Sequence, residues 1–290
     1  MEEWNMALEP MAIGVMLGVG EDPRESIQKV LDVGVTNAQM GRPGDEWLKP
    51  EKAKELKKLA KQMGVTITTV FCGFDGESYD DIPTVQKTVG FVPKAPRKAR
   101  VKKAKEIADF AKVLGVKVVA AHVGFVPEDR RDPEYRAIVR TVRAFADYLA
   151  KSKQKLSLET GQETGPCLLR FIEDIRRPNV KVNFDPANMI LYGTGGPIEA
   201  LKLVGKLVVG VHAKDGVGPT KKNQLGTETP LGKGEVGIKR FIQTLIDLKY
   251  KGPLTIEREI TGPQQKKDII KARKLLERIR DKLLAAAAGK

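Results

Sequence analysis

Four stretches of this 290-residue chain each end on a side chain able to bind a metal ion or move a proton. LSLET (156–160) delivers Glu159, and VNFDPAN (182–188) delivers Asp185, with Asn188 one short turn beyond. VVGVHAKDG (208–216) delivers His212, with Lys214 and Asp215 close behind, and LTIERE (254–259) delivers Glu257, with Glu259 two residues on. The polar group in each case follows an apolar, largely β-branched run, the pattern of a buried strand whose carboxyl end emerges into a polar site. Three carboxylates and one neutral imidazole make a hard, mostly oxygen donor set. Such a set suits one divalent ion, Mn²⁺ first and Mg²⁺, Co²⁺ or Zn²⁺ as alternatives, with positions left open for a substrate. Singly, each residue has a plainer explanation: a strand-end glutamate often caps a helix or pairs with a cation, and a lone histidine is more often a hydrogen-bonding structural group. Their recurrence at four successive strand ends is what sets them apart.

The elements that must position these groups are legible as an alternation. Short β-branched runs at 12–17, 35–40, 65–71, 116–122, 156–159, 180–185, 208–212 and 254–257 are separated by segments with apolar residues at three- and four-residue spacing. Helices are expected at 23–33, 50–63, 96–114, 133–151, 166–176, 197–204, 237–249 and 264–284. Pro23, Pro50, Pro133, Pro166 and Pro197 stand where a first helical turn begins and the missing amide donor is tolerated. Gly34, Gly64 and Gly115 close apolar helical runs directly before strands, which fits a left-handed helix-ending residue. Eight strand–helix pairs predict an α/β fold, a single (β/α)8 TIM barrel spanning 1–290 with a frayed tail at 285–290, its site at the carboxyl ends of the strands. An open doubly wound sheet is disfavoured, because no GxGxxG or GxxxxGK[ST] follows the first strand and no composition break marks a second domain.

Composition narrows the setting. Hydrophobic content of 41% and charged content of 30% are those of a globular protein. The two cysteines, Cys72 and Cys167, lie far apart with no CxxC or zinc-ligand spacing, so a reducing cytoplasm is expected and thiolate metal chemistry is not. Glu2 and Glu3 stand where a secretory signal would carry positive charge, and no apolar run reaches the roughly 18 residues of a membrane span. The net charge of +14 is concentrated in 86–117, with ten basic and two acidic residues, and 266–290, with nine and three. Both read as amphipathic helices whose lysines face water rather than as a nucleic-acid surface. Homo-oligomerisation is left open.

The run LET…NFDPANM…VHAKD…LGKGEV…YKGPLTIERE, together with AHVGFVPEDRRDPEY after the fourth strand, resembles the xylose isomerase-like barrels of the sugar phosphate isomerase/epimerase family. That family includes inosose dehydratases and ketose 3-epimerases, and the likeness extends over nearly the whole chain. The resemblance implies that Glu159, Asp185, His212 and Glu257 are metal ligands and that the substrate is a sugar, sugar phosphate or cyclitol. It also implies an enediolate mechanism, with Glu159 and Glu257 exchanging protons on opposite sides of the substrate. His122, at the end of the fourth strand, and Gln39, at the end of the second, become candidates for holding substrate hydroxyls. Lys214 is expected to point into the same mouth, where it could hold an anionic oxygen or pair with Asp215. Trp47 and Phe74 are candidate apolar walls.

Two departures set this chain apart from the ketose 3-epimerases. Asn188 stands where those enzymes carry a histidine, and asparagine cannot act as an acid or base at neutral pH. The loop after His212 offers Lys221 and Lys222 in place of an arginine. A dehydratase or lyase on the same scaffold is therefore an alternative. An endonuclease IV-like repair enzyme is opposed by the presence of only two histidines, His122 and His212. A metal-free glycosidase using Glu159 and Glu257 would leave His212 and Asp185 without a role, and a sugar-binding barrel without turnover is the non-enzymatic reading.

Overall fold

The computed structural model describes residues 8–288. Eight parallel strands close into a barrel. They are β1 (Ile13–Leu17), β2 (Asn37–Met40), β3 (Thr66–Phe71), β4 (Val118–Ala121), β5 (Lys155–Glu159), β6 (Val180–Phe184), β7 (Val208–Ala213) and, after a separate antiparallel ribbon of β8 (Asp215–Val217) and β9 (Thr227–Thr229), β10 (Leu254–Ile256). Outside them run α1 (Pro23–Asp32), α2 (Pro50–Gln62), α3 (Ile82–Thr88), α4 (Arg97–Leu114), α5 (Pro133–Ala150), α6 (Gly165–Ile175), α7 (Pro186–Tyr192), α8 (Pro197–Val204), α9 (Ile238–Asp247) and α10 (Pro263–Ala288). The fold is the single (β/α)8 barrel that the alternation predicts.

The glycine signals have a visible cause. Gly34, Gly64 and Gly115 adopt φ of +80°, +70° and +89°. The next residue of each, Val35, Val65 or Val116, returns its amide to a carbonyl five residues back in the helix, on Val30, Ala60 and Ala111. These valines are therefore apolar because they seal helix ends, and the ladders start one to two residues later than the β-branched runs suggest. At the other end, His122, Asp185 and Glu257 stand one residue beyond their ladders, free to turn into the barrel mouth.

Three elements were not expected. Helix α7 is compressed into NFDPANMILY, where Asp185 caps it and Pro186 begins it. Helix α3 and the β8–β9 ribbon lie in loops whose hydrophobic spacing is too short to announce them. With Phe125, Tyr192 and Leu225, α3 builds a small apolar cluster separate from the main core, Val85 and Val89 at its centre. Of the tail expected to fray, residues 285–288 continue α10, and 289–290 lie outside the described residues. The two basic segments occupy different faces, α4 packing on α2 and α5 and α10 packing on α9. No helix among the described residues is long and apolar enough to cross a membrane.

Candidate metal centre

Strand alternation sets the site. With a period of two, Ser157 and Glu159 share one face of β5, as do Asn183 and Asp185 along β6, Gly210 and His212 along β7, and Thr255 and Glu257 along β10. Small or polar buried residues thus form a layer directly beneath the four candidate ligands. Thr160 ties two of the strand ends together, its hydroxyl accepting from the Asp185 amide at 2.7 Å and donating to the Asp185 carbonyl at 2.8 Å. The two oxygens of Asp185 divide their work. Oδ1 accepts from the Asn188 amide at 2.9 Å and caps α7, while Oδ2 stands 3.3 Å from His212 Nδ1.

Three carboxylates converge on that one nitrogen. Glu159 Oε1 lies 3.0 Å from His212 Nδ1, Glu257 Oε2 3.2 Å and Asp185 Oδ2 3.3 Å. All four donor atoms lie within 4.8 Å of one another. Donors that share an ion at about 2.0–2.2 Å stand no more than about 4.4 Å apart, so a slight contraction would bring this set onto one cation. The donor set and its spacing therefore fit a divalent ion, and the barrel brings together all four residues singled out from the sequence.

Electrostatics explain how so many carboxylates coexist. Lys214 is 1% exposed, and its ammonium contacts Glu259 Oε1 at 2.9 Å, Glu257 Oε2 at 3.1 Å and Asn188 Oδ1 at 3.1 Å. Burial alone would drive the Lys214 ammonium toward neutrality, but Glu257, Asp185 and Glu259 reverse that and hold it well above its ordinary value. His212 behaves likewise: burial opposes its charge, and Glu257 and Glu159 together with the Asp185 hydrogen bond raise it well above the usual range. Burial also resists ionisation of Glu257, yet the charges of His212 and Lys214 pull its carboxyl well below the usual range. Protons on His212 Nδ1 and a metal ion compete for the same space, so metal uptake should release protons.

The remaining expected residues fall in different places. His122 reaches the mouth, its Nε2 3.1 Å from Glu159 Oε2, with the Tyr79 ring 6.0 Å away. Asn188 faces the site, donating to the Thr160 carbonyl at 3.3 Å while accepting from Lys214. Lys214 does not pair with Asp215, whose carboxylate instead accepts from the amides of Gly216, Gly232, Gly234 and Val236 at 2.9–3.1 Å. VHAKD and LGKGEV are thus one structural unit, Asp215 anchoring the glycine loop. Gln39 is not at the mouth: it is fully buried, with its amide bound to His212 Nε2 and to Asn183. Trp47 and Phe74 are buried in the hydrophobic core, Trp47 beneath Lys52 and Phe74 against Phe91 and Arg100. Lys221 and Lys222 are exposed on the ribbon loop.

Aromatic residues that the sequence did not single out pack against the site's rings and loops. Phe71, at the end of β3, stacks on the His212 ring at 5.4 Å, Tyr79 lies against His122, and Tyr192 meets Phe125 edge-on at 5.8 Å. Tyr192 follows Asn188 by four residues on α7, the same helical face, a signal readable once that helix is known.

A family model described as xylose isomerase-like TIM barrel matches residues 27–279. A crystal structure of a xylose isomerase domain protein from Planctomyces limnophilus is 42% identical, with a TM-score of 0.91 over 95% of this chain and 99% of that one. A D-tagatose 3-epimerase-like protein is 19% identical, with a TM-score of 0.74 over 95% of this chain and 100% of its own. A xylose isomerase-like TIM-barrel protein from Mycobacterium smegmatis, solved in complex with magnesium, is 17% identical, with a TM-score of 0.68 over 95% and 98% of the two chains. The last two likenesses establish the fold alone. No curated protein sequence matches the chain. The chain belongs to the xylose isomerase-like TIM-barrel family.

Proposed function

We propose that this xylose isomerase-like barrel is a divalent-metal-dependent isomerase or epimerase acting on a sugar, sugar phosphate or cyclitol by abstraction of a carbon-bound proton. The observation that carries the reading is the convergence of Glu159, Asp185 and Glu257 within 3.0–3.3 Å of His212 Nδ1. Mn²⁺ is the proposed ion, with Mg²⁺, Co²⁺ and Zn²⁺ as alternatives, held by these four residues. When bound, the ion stabilises negative charge that develops on substrate oxygen as the proton leaves.

The chain's own groups supply the proton transfers. Glu257 is held in its ionised form, the form that can accept a proton, by His212 and Lys214, which also weaken it as a base. Glu159 stands across the site with His122 3.1 Å from its second oxygen, a placement from which it can return a proton on the other side. Lys214 and Asn188 hold each other beside Glu257 and orient it. Phe71 and Tyr79 stand against the two histidine rings of the site.

Turnover of a ketose and inosose panel in heavy water tests the proposal. The metal-replete enzyme should place solvent deuterium on the inverted or isomerised carbon, and Glu257→Gln should abolish it. Retained exchange in that variant would remove Glu257 from the role of base. Loss of water from the substrate without return of deuterium would favour the dehydratase alternative, to which the Asn188 substitution already lends weight.

A further inference from the structure

We infer that Gln39 and Asn183 form a buried relay that fixes which nitrogen of His212 faces the carboxylates, making Gln39 a positioning residue for the metal ligand. The inference rests on the metal-centre reading above and extends it below the ligands, into the barrel interior. Gln39 Oε1 lies 2.8 Å from His212 Nε2, and Gln39 Nε2 donates to Asn183 Oδ1 at 3.0 Å. Both side chains are fully buried. An amide can present either its oxygen or its nitrogen; with Asn183 Oδ1 facing Gln39 Nε2, Gln39 shows its oxygen to the imidazole, and Asn183 Nδ2 makes no further hydrogen bond among the described residues.

The chemistry of His212 requires that orientation. Its Nδ1 meets three carboxylate oxygens and can be there only as a proton donor or as a metal ligand. As an imidazolium or as a ligand through Nδ1, the ring carries hydrogen on Nε2, and an acceptor must receive it. Gln39 Oε1 is that acceptor. A reversed amide would favour a lone pair on Nε2 and hydrogen on Nδ1, which blocks metal binding.

The backbone is shaped around the pair. Two ladders of the barrel carry register shifts, one between Ala38 and Gln39 in the β2–β3 pairing and one between Val182 and Asn183 in the β6–β7 pairing. In each case the extra residue lies on the partner strand, Thr68 of β3 and Val209 of β7, while β2 and β6 stay in step with β1 and β5, so ordinary strand alternation carries Gln39 and Asn183 into the barrel interior. The shift on the β6–β7 side sets Asn183 opposite Gly210. A Cβ at position 210 would collide with Asn183 Oδ1 and stand 2.9 Å from Gln39 Nε2, so glycine there keeps the amide pair in place.

The test combines calorimetry with nitrogen-15 NMR, which is simple here because the chain has only two histidines. Mn²⁺ is titrated into metal-depleted wild type, Gln39→Glu and Gln39→Leu, with thermal melting as the folding control. Gln39→Leu should weaken Mn²⁺ binding by about 10- to 100-fold, as loss of a ligand's supporting partner does, while Gln39→Glu, which keeps an acceptor oxygen, should stay far closer to wild type. In Zn²⁺-loaded wild type labelled with nitrogen-15 histidine, His212 should show hydrogen on Nε2 and metal on Nδ1. Ligation through Nε2, or unchanged affinity in a folded Gln39→Leu, overturns the relay. Should Gln39→Leu fail to fold, the wild-type spectrum decides alone. Absence of any metal binding by wild type would instead overturn the metal-centre reading, so the two failures are distinguishable.

Discussion

Replacing Lys214 by methionine removes a positive charge that the metal-free site depends on. The ammonium directs its three hydrogens at Asn188, Glu257 and Glu259 at 2.9–3.1 Å and is 1% exposed. Methionine preserves much of the stem while leaving Glu257 near Asp185 and Glu159 with His212 as the remaining cation. Breaking a buried pair by removing one partner costs about 3–5 kcal/mol, because the survivor stays charged in a low-dielectric setting. Glu259 is more than half exposed and can turn to water, which points to the lower end, about 3 kcal/mol. For a chain of 290 residues the unfolding entropy is about 0.6 kcal/mol/K, so the metal-free variant should melt about 5 °C below wild type. Scanning calorimetry near neutral pH reads this directly. Repeated with saturating Mn²⁺ the deficit should shrink, since a divalent ion compensates the same carboxylates. A metal-free loss of less than about 1 °C, or a deficit that Mn²⁺ leaves unchanged, would refute the view that Lys214 balances the charge of the site.

Glu163 carries a pH signature away from the ligands. Burial pushes its carboxyl up from 4.5 to about 8. The folded state therefore binds this proton more tightly than the unfolded state, so the stabilisation is complete below the unfolded value and is lost as pH rises toward 8, by at most about 5 kcal/mol. Glu163→Gln should flatten the dependence of the denaturant midpoint on pH across that window; an unchanged slope would show that the carboxyl is ionised in the fold. Asp215→Asn replaces a charged acceptor of four backbone amides with a group that also presents donors, and should destabilise by about 2–4 kcal/mol while loosening residues 230–236 to hydrogen exchange. Wild-type protection in that loop would contradict the anchoring role.

The sequence carried the barrel and the four converging strand ends because both are written in local terms. A β-branched run, a helix-closing glycine and a polar residue at a strand end are visible without knowledge of distant partners. Gln39 shows where that ends. Its place near the end of β2 suggested the mouth, but its partners His212 and Asn183 lie 173 and 144 residues away, and together they hold its amide inside the barrel. Adjacency misled in the case of Lys214 and Asp215, since consecutive residues at a strand end point to opposite sides. Lys214 entered the site, whereas Asp215 turned to the LGKGEV loop. Tyr79 and Tyr192 escaped notice because the loop and the seven-residue helix that carry them have no periodic pattern of their own.

The claim that Glu159, Asp185, His212 and Glu257 hold one ion is tested most directly by titrating Mn²⁺ into metal-depleted protein in the calorimeter, with Asp185→Ala as the control. Asp185 is the apt choice because its Oδ2 faces His212 while its other oxygen caps α7, so melting reports the capping loss separately. The account predicts one saturable site in wild type, proton release that grows as pH falls toward neutrality, and loss of that site in a folded Asp185→Ala. No saturable binding in wild type, or a site that survives the substitution, would contradict it.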